Sequence, residues 1–390
     1  MAKIILKDNR ISKAELGHPW VYRNEIQKYE GAIKPGDIIS VYNSRGKFIG
    51  KGYINPQSKI TVRILTRDEN EEINEDFFRR KITAAWEYRK KLIETTCCRV
   101  VFGEADFIPA LIVDKYSDYL VVQTLSLGID IWKDTIVKIL KEIFNPKGIY
   151  ERNDVKVREL EGLPLQKGFL TEPFNAIIET QENGVKFYVD LENGQKTGYF
   201  LDQKENRASI RNIVKNADVL DCFCHTGSFS LHAAHYGAKS VLGIDISETA
   251  IEMARKNSAL NGFESICSFE KANAFDILRP WADEGKQFDV VILDPPAFTK
   301  SHQAVEGASR GYKEINLRAM KIVKPGGFLV TCSCSHFMLP DLFTQVIADA
   351  AHDAGKTLRQ VEFRTQSKDH PVLINSEESL YLKFIIYQVI

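Results

Sequence analysis

Cys332 and Cys334 stand two residues apart in Pro325-Gly-Gly-Phe-Leu-Val-Thr-Cys-Ser-Cys-Ser335, a turn followed by an apolar run that reads as a strand. Such a strand delivers its last residues to a sheet edge, where a cysteine near positive charge can act as a nucleophile through its thiolate. Cys332 falls within the strand and reads equally as a small core residue; Cys334, on the loop beyond it, is the thiol better placed to meet a substrate. A second C-x-C pair, Cys222 and Cys224, lies in Asp221-Cys-Phe-Cys-His-Thr-Gly-Ser-Phe229. Neither pair has the C-x2–4-C spacing usual for zinc, so no metal is expected. His225, His302 and His336 read as hydrogen-bonded loop residues rather than ligands.

The segment from Asp221 to Phe229 follows a strand and opens a helix. Its single Gly227 gives a tight turn but not G-x-G-x-x-G, which disfavours a dinucleotide pyrophosphate. Asp245 ends the next strand, 24 residues after Asp221. A carboxylate there is placed to accept hydrogen bonds from both ribose hydroxyls of an adenosine. Asn273-Ala-Phe-Asp276 follows a third strand and could meet an adenine edge. Asp294-Pro-Pro-Ala-Phe298 follows a fourth, its two prolines fixing φ to hold the aspartate rigidly toward a planar base.

These residues require a sheet whose strands end at one edge. Asp218-Val-Leu-Asp-Cys222, Ser240-Val-Leu-Gly-Ile-Asp245, Phe288-Asp-Val-Val-Ile-Leu-Asp294 and Gly327-Phe-Leu-Val-Thr-Cys332 are nearly continuous apolar runs, as parallel strands buried on both faces must be. Helices such as Glu248 to Leu260, ended by Asn261-Gly262, alternate with them. The expectation for 177–390 is a doubly wound, Rossmann-like α/β domain. Residues 1–73 read instead as short strands with turns, among them Ile38–Tyr42, Phe48–Ile54 and Lys59–Leu65, and suggest a small β-barrel. Residues 74–176 read as a central α/β domain. It opens with a helix that places Phe77, Phe78, Ile82, Ala85, Trp86 and Leu92 on one face, followed by strands Pro109–Asp114 and Tyr119–Thr124. A helix near Ile131–Phe144 and a strand Gly148–Glu151 complete it.

The composition is that of an ordinary globular protein, with 44% hydrophobic and 27% charged residues. No apolar run approaches the roughly 18 residues of a membrane-spanning helix. The apolar stretch of Met1-Ala-Lys-Ile-Ile-Leu-Lys-Asp8 ends in charge too soon for a secretory signal. Seven cysteines in no disulfide pattern fit a reducing cytoplasm. The net charge of zero conceals an asymmetry: residues 1–67 hold thirteen Lys and Arg, Arg10 included, against five acids, or +8, and the remainder carries −8. A small basic module on an acidic body suits an RNA partner, because phosphate binding needs cationic surface.

Lys196-Thr-Gly-Tyr-Phe-Leu-Asp-Gln-Lys-Glu-Asn-Arg207, Cys222-Phe-Cys-His-Thr-Gly-Ser-Phe229, Asp294-Pro-Pro-Ala-Phe298, Gly307-Ala-Ser-Arg-Gly-Tyr-Lys-Glu-Ile-Asn316 and Ser333-Cys-Ser335 together resemble the bacterial class I S-adenosylmethionine-dependent large-subunit rRNA methyltransferases that modify cytosine at carbon 5. His18-Pro-Trp-Val-Tyr22 and the basic strands after it are similar to the PUA domain those enzymes carry. The resemblance covers essentially the whole chain and implies a PUA barrel, a central α/β domain and a Rossmann-fold methyltransferase. It implies S-adenosyl-L-methionine as cofactor, held by Phe200, Gln203, Asp221, Cys222, Phe223, Thr226, Gly227, Asp245, Ile246, Asn273, Ala274 and Asp294. It implies Cys334 as nucleophile with Asp294 beside the base, unpaired 23S rRNA as partner, and a homodimer as one open oligomeric state. Many RNA cytosine-5 methyltransferases have a second cysteine after the two prolines; here that position is Ala297, which leaves the group that removes the carbon-5 proton unassigned.

Two other functions remain compatible with the residues. Asp-Pro-Pro-x-Phe also resembles guanine N-methyltransferases, which transfer directly to nitrogen and need no thiol. A non-catalytic RNA-binding assembly factor would keep the fold and lose turnover.

Overall fold

The computed structural model describes residues 2–8, 12–299 and 301–390, without the side chain of His302; Met1 and Arg10 therefore lie outside the described residues. The chain divides into two compact units. The first comprises 1–180, 189–201 and 368–379, and the second 181–188, 202–367 and 380–390.

The first unit begins with six short strands, β1 (Lys3–Leu6), β2 (Trp20–Tyr22), β3 (Ile26–Glu30), β4 (Ile38–Tyr42), β5 (Phe48–Ile54) and β6 (Ile60–Thr66), in one sheet of order β2-β6-β5-β4-β1-β3. Ile4, Leu6, Val21, Ile39, Val41, Ile54 and Val62 form its interior. The acidic run after it ends at Asn74, whose side chain accepts the Phe77 N–H at 3.0 Å and so caps helix α1 (Glu75–Leu92). Acids then occupy the first turn of α1 and Arg89, Lys90 and Lys91 the last, matching the helix dipole. A five-stranded sheet follows, from β7 (Cys97–Phe102), β8 (Leu111–Tyr116) and β9 (Tyr119–Thr124) through helices α2 (Leu127–Asp130) and α3 (Lys133–Phe144) to β10 (Gly148–Asn153) and β11 (Gln166–Phe169).

The expected central pattern lacked β7 and β11. Leu92, expected on the core face of α1, is 45% exposed, and its place is taken by Arg89, fully buried with both terminal nitrogens on Asp106. Ile131 is likewise exposed, because α3 starts two residues later. The two sheets share a core in which Tyr53 and Leu65 pack with Phe77, Phe78 and Ile82. Much of the basic excess of residues 1–67 is bound up in this construction. Arg63 is buried against Glu161 at 2.9 Å, the Lys51 ammonium donates to the Glu69 and Glu71 carbonyls, and Arg23 and Arg67 donate to backbone carbonyls. The charge count therefore overstates the cationic surface, which Lys13, Lys34, Arg45, Lys47 and Lys59 retain.

The boundary between the units runs through a hairpin, β12 (Ile177–Glu182) and β13 (Val185–Asp190). The second unit is the doubly wound part. Helices α4 (Lys204–Ser209) and α5 (Arg211–Val214) precede β14 (Asp218–Cys222), α6 (Ser228–His235), β15 (Ser240–Asp245), α7 (Glu248–Asn261), β16 (Cys267–Lys271), α8 (Ala274–Asp283), β17 (Phe288–Leu293), α9 (Val305–Ile322), β18 (Val323–Ser333), α10 (Pro340–Asp353), β19 (Leu358–Arg364) and β20 (Lys383–Val389). The sheet order is β16-β15-β14-β17-β18-β20-β19, the first five strands parallel and β20 antiparallel to both its neighbours. Apolar layers cover both faces, one centred on Leu220, Leu293, Tyr312 and Ile315, the other on Val219, Phe229, Ile292 and Phe384.

Glu182, Arg207 and His232 meet inside this unit, all essentially inaccessible. Arg207 donates two hydrogen bonds to the Glu182 carboxylate, at 2.6 and 2.9 Å. Burial holds the His232 imidazole down to about 3, so it is neutral and cannot replace the guanidinium. Arg207→Leu is expected to cost about 3–5 kcal/mol in urea unfolding, because it strands a buried carboxylate, and adding Glu182→Leu should recover most of the loss. Equal destabilisation of the single and double variants would contradict the pairing.

Candidate active site

In an α/β sheet of this order the chain reverses its direction of growth between β14 and β17, and the loops there splay apart to leave a crevice at the strand ends. Asp221 lies in the last turn of pleat of β14, Asp245 ends β15, Asp294 directly follows β17, and Cys334 directly follows β18. Those four strands are consecutive neighbours and parallel, so the sheet itself brings these residues to one edge.

The turn after β14 is tightly wound. Phe223 and His225 have φ of 64° and 51°, and Gly227 has 83°, so three of five consecutive residues occupy the left-handed region that side chains disfavour. Only Gly227 is free of the Cβ penalty, and a Cβ there would approach the Phe269 ring to 3.1 Å. Surrounding bonds hold the turn: Cys224 N–H to the Ile244 carbonyl at 3.0 Å, Gly227 N–H to the Cys224 carbonyl at 2.8 Å, and the Asn257 amide to the Thr226 carbonyl at 3.0 Å. Asp245 contributes directly. Its two carboxylate oxygens accept the His225 N–H at 3.0 Å and the Ser247 N–H at 2.9 Å, which fixes the carboxylate between the two loops.

Asp221 is 1% exposed. One carboxylate oxygen accepts the Ser230 N–H and hydroxyl at 2.9 and 2.6 Å, while Oδ1 is buried without a hydrogen-bond partner. Burial, with the Asp294 and Asp245 charges adding to it, pushes this carboxyl up to about 7. Three carboxylates focused on one place, one of them with an unmet acceptor, suit a cationic guest. Asp294 is held from the other side. The Gln203 amide donates to its Oδ1 at 3.0 Å, Asn206 donates to Gln203 at 2.7 Å, and Arg364 donates to Asn206 at 3.0 Å.

Six of the seven cysteines are buried, and Cys334 alone is partly accessible. Cys332 is fully buried, and burial together with the Asp294 charge raises its thiol well above the usual range, which leaves it neutral. The serines on either side of Cys334 turn inward. Ser333 and Ser335 both share hydrogen bonds with the Tyr312 hydroxyl, at 2.9 and 3.0 Å, and the Cys334 thiol lies 3.9 Å from the Pro295 carbonyl. Cys334 thus faces the Asp-Pro-Pro loop from a segment clamped at both ends.

The remaining expected residues have mixed placements. Cys222 is buried core, Phe223 and Thr226 line the turn, and Ile246 stands 68% exposed beyond Asp245. The Asn273 side-chain oxygen caps α8 by accepting the Phe275 N–H at 3.1 Å, with Ala274 buried behind it. Phe298 packs its ring on Tyr312 at 4.5 Å. Phe200 belongs to the first unit, where the Lys196 ammonium lies over its ring at 4.5 Å. Ser230, Asn206, Arg364, Tyr312 and Lys383 were not singled out from sequence. Asn206 and Tyr312 lie within motifs that carry the resemblance, but Ser230, Arg364 and Lys383 act only through tertiary contacts. Among the described residues no group of three or more His, Cys, Asp and Glu is arranged to hold a metal ion, and no helix is long and apolar enough to cross a membrane.

Residues 167–378, more than half of the chain, match the family described as S-adenosylmethionine-dependent methyltransferase. The chain belongs to that family. The methyltransferase also matches a PUA-like domain over residues 4–67. It is 42% identical over 392 residues to a protein of Shewanella amazonensis named ribosomal RNA large subunit methyltransferase I, and 43% identical over 394 residues to its namesake in Shewanella denitrificans, with 99% of each chain covered in both cases. A candidate methyltransferase of known structure from Streptococcus mutans shares the fold over 100% of both chains, with a TM-score of 0.83 at 20% identity. Another, solved with SAH, aligns equally fully with a TM-score of 0.85 at 20% identity.

The cofactor of the methyltransferase is S-adenosylmethionine, which carries a positively charged sulfonium. The state of Asp221 is open to a direct check. Its raised carboxyl keeps a proton in the folded chain through a range in which an unfolded aspartate has lost it, so the residue lowers stability as pH rises from roughly 4 to 7, and its penalty is complete above that. In cofactor-free protein, Asp221→Asn should therefore come closest to wild type near pH 4 and exceed it at pH 8, on the order of 4 kcal/mol, by thermal or urea unfolding. A difference independent of pH would show that Asp221 is ionised throughout.

Proposed function

We propose that this methyltransferase modifies carbon 5 of a cytosine in large-subunit rRNA, through a transient bond between Cys334 and carbon 6 of the base. The observation that carries the reading is the singular position of Cys334: it is the accessible thiol of seven, just past β18 and facing the loop that begins with Asp294. Direct methylation of nitrogen has no use for a thiol there. The rRNA substrate is supported by the names of relatives matched along 99% of the chain, and by the PUA-like domain with its exposed Lys34, Arg45, Lys47 and Lys59 for phosphate contact.

The cofactor supplies an electrophilic methyl group on a sulfonium. Asp221 and the turn through Cys222, Phe223, Thr226 and Gly227 would hold its methionine end, Asp245 would accept from the ribose hydroxyls, and Ile246, Asn273 and Ala274 would border the adenine. Gln203 keeps Asp294 oriented. Carbon 5 of cytosine is too weak a nucleophile to take the methyl unaided. Attack of the Cys334 thiolate on carbon 6 moves the electron pair of the 5,6 double bond onto carbon 5, which then takes the methyl group. Asp294, hydrogen-bonding the N3 and N4 edge, stabilises that adduct, and Phe298 offers a ring to the extruded base. Loss of the carbon-5 proton to a base then restores the double bond and expels the Cys334 thiolate. RNA is taken unpaired, since an atom of a stacked base is out of reach.

Fluorine at carbon 5 blocks the proton loss and should freeze the adduct. RNA containing 5-fluorocytidine at the target, incubated with the cofactor, is expected to form a denaturation-resistant complex with wild type and with Cys332→Ala, but not with Cys334→Ala. Trapping by Cys334→Ala and not by Cys332→Ala would reverse the roles of the thiols. No complex from any variant, with normal RNA still methylated, would favour transfer to a guanine nitrogen.

A further inference from the structure

Lys383 opens β20 opposite Ser333 in the antiparallel pairing of β18 and β20, and is 2% exposed. Its ammonium donates to the Ser335 carbonyl at 2.7 Å and to the Tyr381 carbonyl at 2.9 Å, both neutral acceptors. Among the described residues no carboxylate forms an ion pair with it. Lysine is seldom buried without a counter-ion, because removing its charge from water costs several kcal/mol. Burial accordingly lowers Lys383 to about 8, and the one ionisable group that opposes this shift is Cys334.

Among the described residues, other titratable groups around Cys334 come from three further elements. Tyr312 on α9 is pushed up to about 12 by burial and stays neutral. Cys332 on β18 is neutral for the same reason. Asp294, beyond β17 and adjoining the Pro295 carbonyl that the thiol faces, brings negative charge, which disfavours a thiolate. His336 follows on the same loop, its ring edge-on to Phe337.

We propose that Lys383 is a positioning residue for Cys334, holding the thiol-bearing loop by its Ser335 carbonyl and supplying the positive charge that stabilises the anionic sulfur. This inference rests on the reading of Cys334 as the nucleophile. Two properties make lysine suited to the task here. Its three donors reach two carbonyls from beneath the loop, and its buried charge has no competing anion, so the field acts on the sulfur with little screening. The same charge favours return of the sulfur as a thiolate when product leaves.

The test reads thiolate formation without requiring methylation. In full-length protein, the rate of iodoacetamide alkylation at Cys334, followed by peptide mass spectrometry across pH, should show a midpoint below the ~8.5 of an ordinary cysteine. Lys383→Met should shift that midpoint up by about one unit or more, slowing alkylation near pH 7 about tenfold, while Lys383→Arg, which keeps the charge, should fall between the two. A merely structural lysine would leave the midpoint unmoved; superimposable wild-type and Lys383→Met profiles overturn the proposal. Should Lys383→Met fail to fold, the thiolate absorbance of wild type minus that of Cys334→Ala gives the midpoint directly, and a value at or above ~8.5 overturns it equally. A Lys383-dependent midpoint with no 5-fluorocytidine adduct would leave the coupling standing and defeat the covalent reading alone.

Discussion

A parallel sheet buried on both faces can offer chemistry only at its ends. Along β14, β15, β17 and β18 the apolar side chains face one buried layer or the other, so a polar group placed among them loses its water and needs a partner. At the strand ends that constraint eases on all four strands together, because they are parallel and adjacent. Asp221, Asp245, Asp294 and Cys334 come from segments spread over more than a hundred residues, yet the hydrogen-bonded register of the sheet fixes where each leaves it. The site is a consequence of strand direction before it is a consequence of any one side chain.

What the edge gains in position it loses in comfort. Asp221 keeps an oxygen without a partner, the turn behind it holds Phe223 and His225 at positive φ, and Lys383 sits buried without a carboxylate. Each is unfavourable in the isolated chain and is held in place by well-packed surroundings. Each is also complementary to something the reaction would bring or create: a cationic methyl donor, a ligand lying close against backbone, and an anionic sulfur. The Tyr312 hydroxyl makes the thiol's placement definite, since the two serines beside Cys334 are tied to it and the cysteine is left to face the other way.

Much of this edge was legible in the sequence because central strands announce themselves. The runs ending at Cys222, Asp245 and Leu293 could hardly be anything else, and the residue following each run is where chemistry must emerge. The edge strand β19, its neighbour β20, and β7 at the edge of the five-stranded sheet carried no such signal. Leu358–Arg364 alternates polar and apolar residues, and Lys383–Val389 pairs antiparallel after a long irregular stretch, so no motif announces that its first lysine lies under Cys334. Residues that act by tertiary contact, such as Ser230 and Arg364, were invisible for the same reason. Charge counting failed more simply: it cannot tell a lysine in water from Lys51 or Arg63, whose charges are enclosed by the fold. For Leu92 the periodicity pointed inward, but Arg89 with Asp106 already occupied that space.

The central claim is that the methyl group arrives at carbon 5, replacing hydrogen there after Cys334 has engaged carbon 6. RNA substrate carrying tritium at carbon 5 of its cytosines, incubated with the wild-type protein and a radiocarbon-labelled methyl donor, measures both halves of that exchange in one sample. One tritium should be released to water for every methyl group incorporated, and neither event should occur with Cys334→Ala. Methyl incorporation with the tritium fully retained in the RNA would contradict it.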